Sequence, residues 1–379
     1  LNQQKDPVPL SLMSAIWECI DYLCEHPDPS PEREAEEKSF DPYTLSINCV
    51  RGEAFHALFA FIYWHDRLHE KSRQPNNRIV QEAKKKLQEY FAHPEKYNVV
   101  SHTVCGANFR WMIVYDTSLA EEIKDKLFED TRNGEAAWMA YLLRGLSTQS
   151  FGMLQLQYGN AIENLSRQTS EENHRRGLDP VQNLIGHIAA VYAYQWDGAE
   201  TLLKKFLSTA SPEQRGQLWS EIGRNFVTCE YKKDDKRPSV AALENIWEAR
   251  LRDAQDPMEL KEFGWWIKEG YFDDQWMLER LNETLKKTKG ELEGQPFVMD
   301  ALELLATKYP LPCVKALELL ITCRGQEYYF YHGHEKEKKA ILIAAYQSKD
   351  ASAIKVADKV VDHLTKRGFE QYRRLRGAE

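Results

Sequence analysis

Three times from residue 179 onward a capping residue is followed by proline and, two positions later, by glutamine or glutamate. The copies are Asp179-Pro180-x-Gln182, Ser211-Pro212-x-Gln214 and Asp256-Pro257-x-Glu259. Aspartate or serine at the N-cap accepts an otherwise unpaired amide. Proline already has the φ of a first helical residue, and a Gln or Glu at N3 reaches back to the cap. Each copy therefore predicts a helix start. They lie 32 and 45 residues apart, and further starts near Gln295 and Glu335 continue at 39 and 40. Irregular periods of this size belong to helical solenoids of the tetratricopeptide and HEAT kind, although the consensus residues of those repeats are absent. The expected fold is all-α: an irregular α-solenoid of antiparallel helix pairs, HEAT/TPR-like, with about fifteen or more helices and no sheet of consequence.

The pattern is clearest from Asp256 to Leu285, read as helix, tight turn and helix. Leu260, Phe263, Gly264 and Ile267 fall on one face at a 3.6-residue period, with Gly264 leaving room for a neighbouring helix and Gly270 ending the segment. Asp273 or Asp274 caps the next helix, where Met277, Leu278, Leu281 and Leu285 face inward and Lys286, Lys287 and Lys289 suit the C-terminal end.

Other helices follow from the same period. Ser11 to His26 places Leu12, Ile16, Ile20 and Leu23 on one face, and Pro27 to Lys38, with three prolines and a run of carboxylates, reads as a loop. Arg51 to Glu70 is the most apolar helix, with Phe55, Leu58, Phe59, Ile62 and Tyr63 inward. Ile79 to Phe91 turns Ala83, Leu87 and Tyr90 inward and Lys84, Lys85 and Lys86 to solvent. Val99 to Tyr115 is read as a helix although its β-branched and aromatic residues also suit a strand. Thr117 or Ser118, with Glu121, is the expected cap of the next helix, and Glu135 to Leu146 and Phe151 to Leu165 follow as a pair. Two regions are expected, an N-terminal helical region over 1–175 and a C-terminal helical-repeat region over 176–379, continuous with the first.

Composition narrows the function. With 50 Lys+Arg against 58 Asp+Glu the net charge is −8, which argues against wholesale attraction to nucleic acid or anionic lipid. No apolar run approaches a membrane span. Seven cysteines without a C-x-x-C, mostly on apolar helical faces, fit a reduced, cytoplasmic protein. The chain opens at Leu1 without a signal peptide and is read as a piece of something longer.

Catalytic motifs are missing. There is no G-x-x-x-x-G-K-[ST], G-x-G-x-x-G or G-x-S-x-G, so the usual phosphate cradles and exposed nucleophiles are not expected. His65-x-x-x-His69 has zincin spacing, but Asp66 stands where glutamate is required. Glu53-x-x-His56 has di-iron spacing without a second copy. Satisfied or solvated histidines are the expected reading, for His332 and His334 as well. The basic tail of Lys366, Arg367, Arg373, Arg374 and Arg376 reads as a solvated helix end, and Trp265 and Trp266 as packing. No catalytic residue, cofactor or metal is expected.

Four stretches carry a resemblance: Asn48-Cys49-Val50-Arg51-Gly52-Glu53-Ala54; Glu135-Ala136-Ala137-Trp138 with Tyr141-Leu142; Phe263-Gly264-Trp265-Trp266 with Phe272-Asp273-Asp274-x-Trp276; and Arg367-Gly368-Phe369. Together they resemble the C-terminal region of large bacterial STAND or NACHT-like NTPases, many thought to act in anti-phage defence. The resemblance implies an upstream P-loop NTPase and a C-terminal helical array acting as sensor. The expected function is thus a non-enzymatic recognition module for a protein or other macromolecular trigger, without nucleic acid or membrane as partner. A freestanding protein-interaction scaffold and a helical metalloenzyme built on His56, His65 and His69 are the alternatives. Trp276, Arg324, Tyr328, Tyr329 and Tyr331 are the expected recognition anchors, because exposed aromatic and arginine side chains bury much area for little lost entropy.

Overall fold

The computed structural model describes residues 8–36, 42–69, 78–165, 179–232, 235–322 and 333–376. Among them every regular element is helical. The α-helices are α1 Met13–Cys24, α2 Pro31–Glu36, α3 Pro42–Ser46, α4 Val50–His69, α5 Arg78–Ala92, α6 Val99–Tyr115, α7 Thr117–Leu127, α8 Arg132–Arg144, α9 Thr148–Met153, α10 Gln155–Glu163, α11 Pro180–Ala193, α12 Ala199–Thr209, α13 Pro212–Ile222, α14 Val240–Asp253, α15 Asp274–Lys287, α16 Gln295–Leu305, α17 Pro310–Ile321, α18 Glu335–Gln347 and α19 Ala351–Lys366. None of the described helices is long and apolar enough to cross a membrane. The chain divides into two compact units, Leu1–Ala161 with Ser170–Leu184, and Ile162–Thr169 with Ile185–Glu379.

The first unit is arranged around α6, against which α3, α4, α7, α8 and α9 pack. Val99 to Ala107, Phe109, Met112 and Ile113 are all buried, so the first half of α6 is enclosed on every side and loses the amphipathic period by which helices are recognised. Its helical state is nonetheless written at its start, where the Asn98 side chain accepts from the Ser101 amide at 2.9 Å. Helix α4 buries Phe55, Leu58, Phe59, Phe61 and Ile62. Helix α1 turns Met13, Trp17, Ile20 and Cys24 inward, so the expected face is displaced by one residue and Leu12 and Leu23 are exposed. The tryptophan decides this, since Trp17 packs against Phe61 at 5.9 Å and buries more area than any leucine of the rival face.

Other local expectations shift here too. The predicted loop after α1 contains the short α2. Lys84 and Lys86 do not stand free in solvent: Lys84 pairs with Asp116 at 3.1 Å and Lys86 with Asp21 and Glu25, both at 2.8 Å. Asp116, not Thr117 or Ser118, caps α7, accepting from the Leu119 amide at 3.0 Å, while the Thr117 hydroxyl donates back to the Ile113 carbonyl and Glu121 pairs with Lys124. The expected helix from Phe151 to Leu165 is broken at Leu154 into α9 and α10.

In the second unit the predicted starts appear. Ser211 forms the full capping box with Gln214, and Asp273 caps α15 through the Trp276 amide at 2.9 Å. Met277, Leu278, Leu281 and Leu285 are buried as expected. The segment after Asp256 departs from expectation, because Pro257–Trp266 is a ten-residue 3-10 helix that stops four residues before Gly270. With three residues per turn, Leu260, Phe263 and Trp266 stack along one edge, and all three are buried. Phe263 lies between Trp219 and Trp247 in a near-parallel stack, at 5.6 and 5.2 Å. The Trp266 indole N–H donates to the Trp219 carbonyl at 2.7 Å.

Two side features hold this unusually long 3-10 helix. Gly264 lets the chain before α16 come close, as expected of a glycine there, although the neighbour is a loop and not a helix: a Cβ would lie 1.9 Å from the Glu293 carbonyl oxygen. Glu259, expected to complete a capping box, points inward instead. It is fully buried and accepts from Arg215 of α13 and from Arg250 of α14, the latter at 2.7 Å. The Asp256 cap is made to the Met258 amide alone, at 2.8 Å.

Candidate recognition surface

The sequence candidates are placed as follows. Arg324, Tyr328, Tyr329 and Tyr331 lie outside the described residues. Trp276 is half-buried: its ring meets Trp247 edge-on at 5.5 Å and Phe272 at 5.4 Å, and its N–H donates to Glu248 at 2.9 Å. Arg280 lies over the remaining ring surface at 6.0 Å and also donates to Glu248, at 3.0 Å. Trp276 is thus an extension of the core stack, with its polar handle already engaged.

His65 is buried, the side chain of His69 is outside the described residues, and the His56 Nε2 lies 3.3 Å from the Ser46 hydroxyl, with burial holding the imidazole pKa below its usual value. His332 is also outside them, and His334 opens α18 at φ 55° with its Nδ1 3.9 Å from Glu337. Among the described residues no three His, Cys, Asp or Glu side chains are grouped to hold a metal ion. In the basic tail, Arg376 folds back onto Asp358 at 3.0 Å and Asp362 at 2.5 Å, while Arg373 and Arg374 are exposed.

A surface that the packing expectation for Trp265 and Trp266 did not anticipate joins three elements of the second unit, with α14 and α15 between them in the chain. Trp265, next to the core Trp266, is turned away from the core and left half-buried, because one residue of 3-10 helix turns the chain by about 120°. The turn after α13, a π-helical stretch Gly223–Val227, sets Arg224 over the Trp265 ring at 5.2 Å. It lies this close only because residue 223 is glycine, since a Cβ there would be 2.5 Å from the Trp265 Cβ. From α16, Phe297 packs on Trp265 at 5.4 Å and is itself 46% exposed. Leu304, two turns further along α16, is 62% exposed.

Carboxylates border these rings. The Trp265 N–H donates to Glu262 at 3.1 Å. Burial first, and then repulsion from Glu293, raise the Glu262 pKa above the ordinary carboxylate value, with Arg224 opposing. The patch therefore combines exposed aromatic surface with two mutually repelling acids, an arrangement suited to an apolar side chain flanked by a basic one. No periodic signal links Arg224, Trp265 and Phe297, and the one sequence hint is the doublet itself, in which only one tryptophan of two can face the core. No family model, curated protein or solved structure matches the chain.

Proposed function

We propose that the chain is a non-enzymatic helical-repeat recognition module of α-solenoid type. In this reading it is cytoplasmic and forms the C-terminal sensor part of a larger bacterial STAND or NACHT-like NTPase, where it binds a macromolecular trigger. The observation that carries the reading is the Arg224–Trp265–Phe297 patch, in which exposed Arg224 and Phe297 meet a half-buried Trp265 from three separate elements. Solenoids recognise partners through such surfaces, which no single repeat owns. Packing between near neighbours in sequence supports it as well: α14 lies on α15, α15 on α17, α16 on α18, and α17 on α19. The partner segment would bring an apolar side chain to Trp265 and Phe297 and a lysine or arginine to Glu262 and Glu293. A freestanding scaffold is the second reading, and the same patch supports it equally.

The test compares partners captured by the wild-type chain and by the Trp265→Ala/Phe297→Ala variant, alongside their melting curves. The expected result is a partner depleted at least about tenfold by the variant while the melting temperature moves by only a few degrees. Identical capture by both would remove this surface from consideration. Sequencing the gene upstream of the Leu1 codon separates the two contexts: an in-frame G-x-x-x-x-G-K-[ST] favours the NTPase, and a reading frame without one favours the scaffold.

A further inference from the structure

A second site lies in the first unit, independent of that surface. Between α1, α2, α4 and α5 and the start of α6 is a cleft of about 390 Å³, within the size range of small-molecule pockets. Its walls include Pro29, Pro31, Phe55 and Tyr97, and charged side chains ring it. Most of those charges are already engaged. Glu25 holds Lys86 at 2.8 Å and Lys96 at 3.9 Å, Glu89 holds Lys85 at 3.2 Å, and Glu95 holds His93 at 2.9 Å.

Arg51 differs. Its backbone N–H donates to the Asp28 carbonyl at 2.9 Å and its Nε to the His26 carbonyl at 2.8 Å, so the guanidinium plane is fixed. The loop supplying those carbonyls is itself tied down, since the Asp28 carboxylate accepts from the Val50 amide at 2.8 Å and from Arg33 at 2.5 Å. Among the described residues neither terminal nitrogen of Arg51 has an acceptor. A guanidinium held by Nε with its other edge open is pre-organised for a two-oxygen anion.

We propose that this cleft binds a small molecule bearing a carboxylate or phosphate on an apolar body, with the anion on the open edge of Arg51 and the body against Pro29, Pro31, Phe55 and Tyr97. Lys96, half-exposed at the rim, adds positive charge. Glu34 stands beside the guanidinium with one carboxyl oxygen buried and unpaired. Burial raises its pKa against the opposing pull of Arg51 and Arg132, which lessens its repulsion of an incoming anion.

The experiment is calorimetric titration of the full chain with phenyl phosphate, 3-phenylpropionate and inorganic phosphate. Saturable binding of at least one aromatic probe is expected, at least about tenfold tighter than inorganic phosphate, because the ring adds burial the bare ion lacks. Which aromatic probe binds tells phosphate from carboxylate. Arg51→Gln should weaken that binding at least about tenfold. Because Arg51 also holds the His26 carbonyl, Glu34→Gln serves as the second variant: it leaves Arg51 in place, removes a like charge and should tighten the same probe several-fold. Absence of saturable binding by either aromatic probe, equal affinity for inorganic phosphate, binding that survives Arg51→Gln, or weaker binding in Glu34→Gln would each overturn the proposal.

Discussion

Replacing Glu259 by glutamine tests how the second unit is held together. The carboxylate is fully buried and joins three elements, taking Arg215 of α13 on one oxygen and Arg250 of α14 on the other from the first turn of the 3-10 helix. Arg215 also donates to the Ala210 carbonyl at 2.7 Å, so it closes the end of α12 as well. Two hydrogen bonds to charged groups contribute about 1.5 to 3 kcal/mol each. Removing one member of a buried ion cluster costs about 3 to 5 kcal/mol, because the remaining charges stay desolvated. Glutamine keeps one acceptor oxygen but turns an NH2 donor toward the other guanidinium, so the expected loss for Glu259→Gln is about 3 to 5 kcal/mol, even though the volume is unchanged. A chain with two compact units need not unfold in one step, so amide exchange over Pro257–Trp266 is the proper readout beside a urea curve. A loss under about 1 kcal/mol, or unaltered exchange in that segment, would refute the reasoning.

Phe59→Ala should cost about 3 to 5 kcal/mol in urea unfolding, as for any fully buried aromatic, and a loss under about 1 would mean the inward face of α4 is misassigned. Gly264→Ala should destabilise by about 1 to 3 kcal/mol despite alanine's higher helix propensity, since the added methyl meets the Glu293 carbonyl, and any gain in the urea midpoint would contradict that contact. His102 is buried with its pKa lowered to about 4, chiefly by desolvation, while an unfolded histidine titrates near 6.5. The unfolded chain therefore takes up this proton first. Stability from His102 is complete above about pH 6.5 and declines by up to about 3 kcal/mol as the pH falls to about 4. Urea midpoints between pH 4 and 7 should show this slope, and His102→Asn should flatten it.

Helix starts were legible because caps are local chemistry: Ser211 and Asp273 need only the next three residues to act. The inward face of α15 was legible from a single unopposed period, whereas α4 buries Phe61 and Trp64 beside the expected face and leaves the expected Tyr63 half-buried. In α1 two faces with the same period compete, and the winner is set by Phe61, some forty residues away, which no local pattern contains. Asp116, Thr117 and Ser118 are all competent caps, and the backbone between α6 and α7 chooses among them. The 3-10 form of Pro257–Trp266 depends on Arg215, Arg250 and the loop at Glu293, partners outside the segment itself. The recognition patch was illegible for the same reason. Arg224 and Phe297 meet Trp265 through tertiary packing alone, and an exposed aromatic reads in sequence like a buried one.

The tryptophan doublet makes this region intolerant of length changes on two counts. In a 3-10 helix one added residue advances everything after it by a third of a turn. An extra glycine placed before Gly264 would refill the tight site facing the Glu293 carbonyl and carry Trp265 into the slot of Trp266. The interior would still receive an indole to meet Phe263 edge-on. The outward position, however, would now hold Gly264, and Arg224 and Phe297 would face no ring. Trp266 in turn would be driven onto the buried position of Ile267, so the core and the surface fix the length of this segment together.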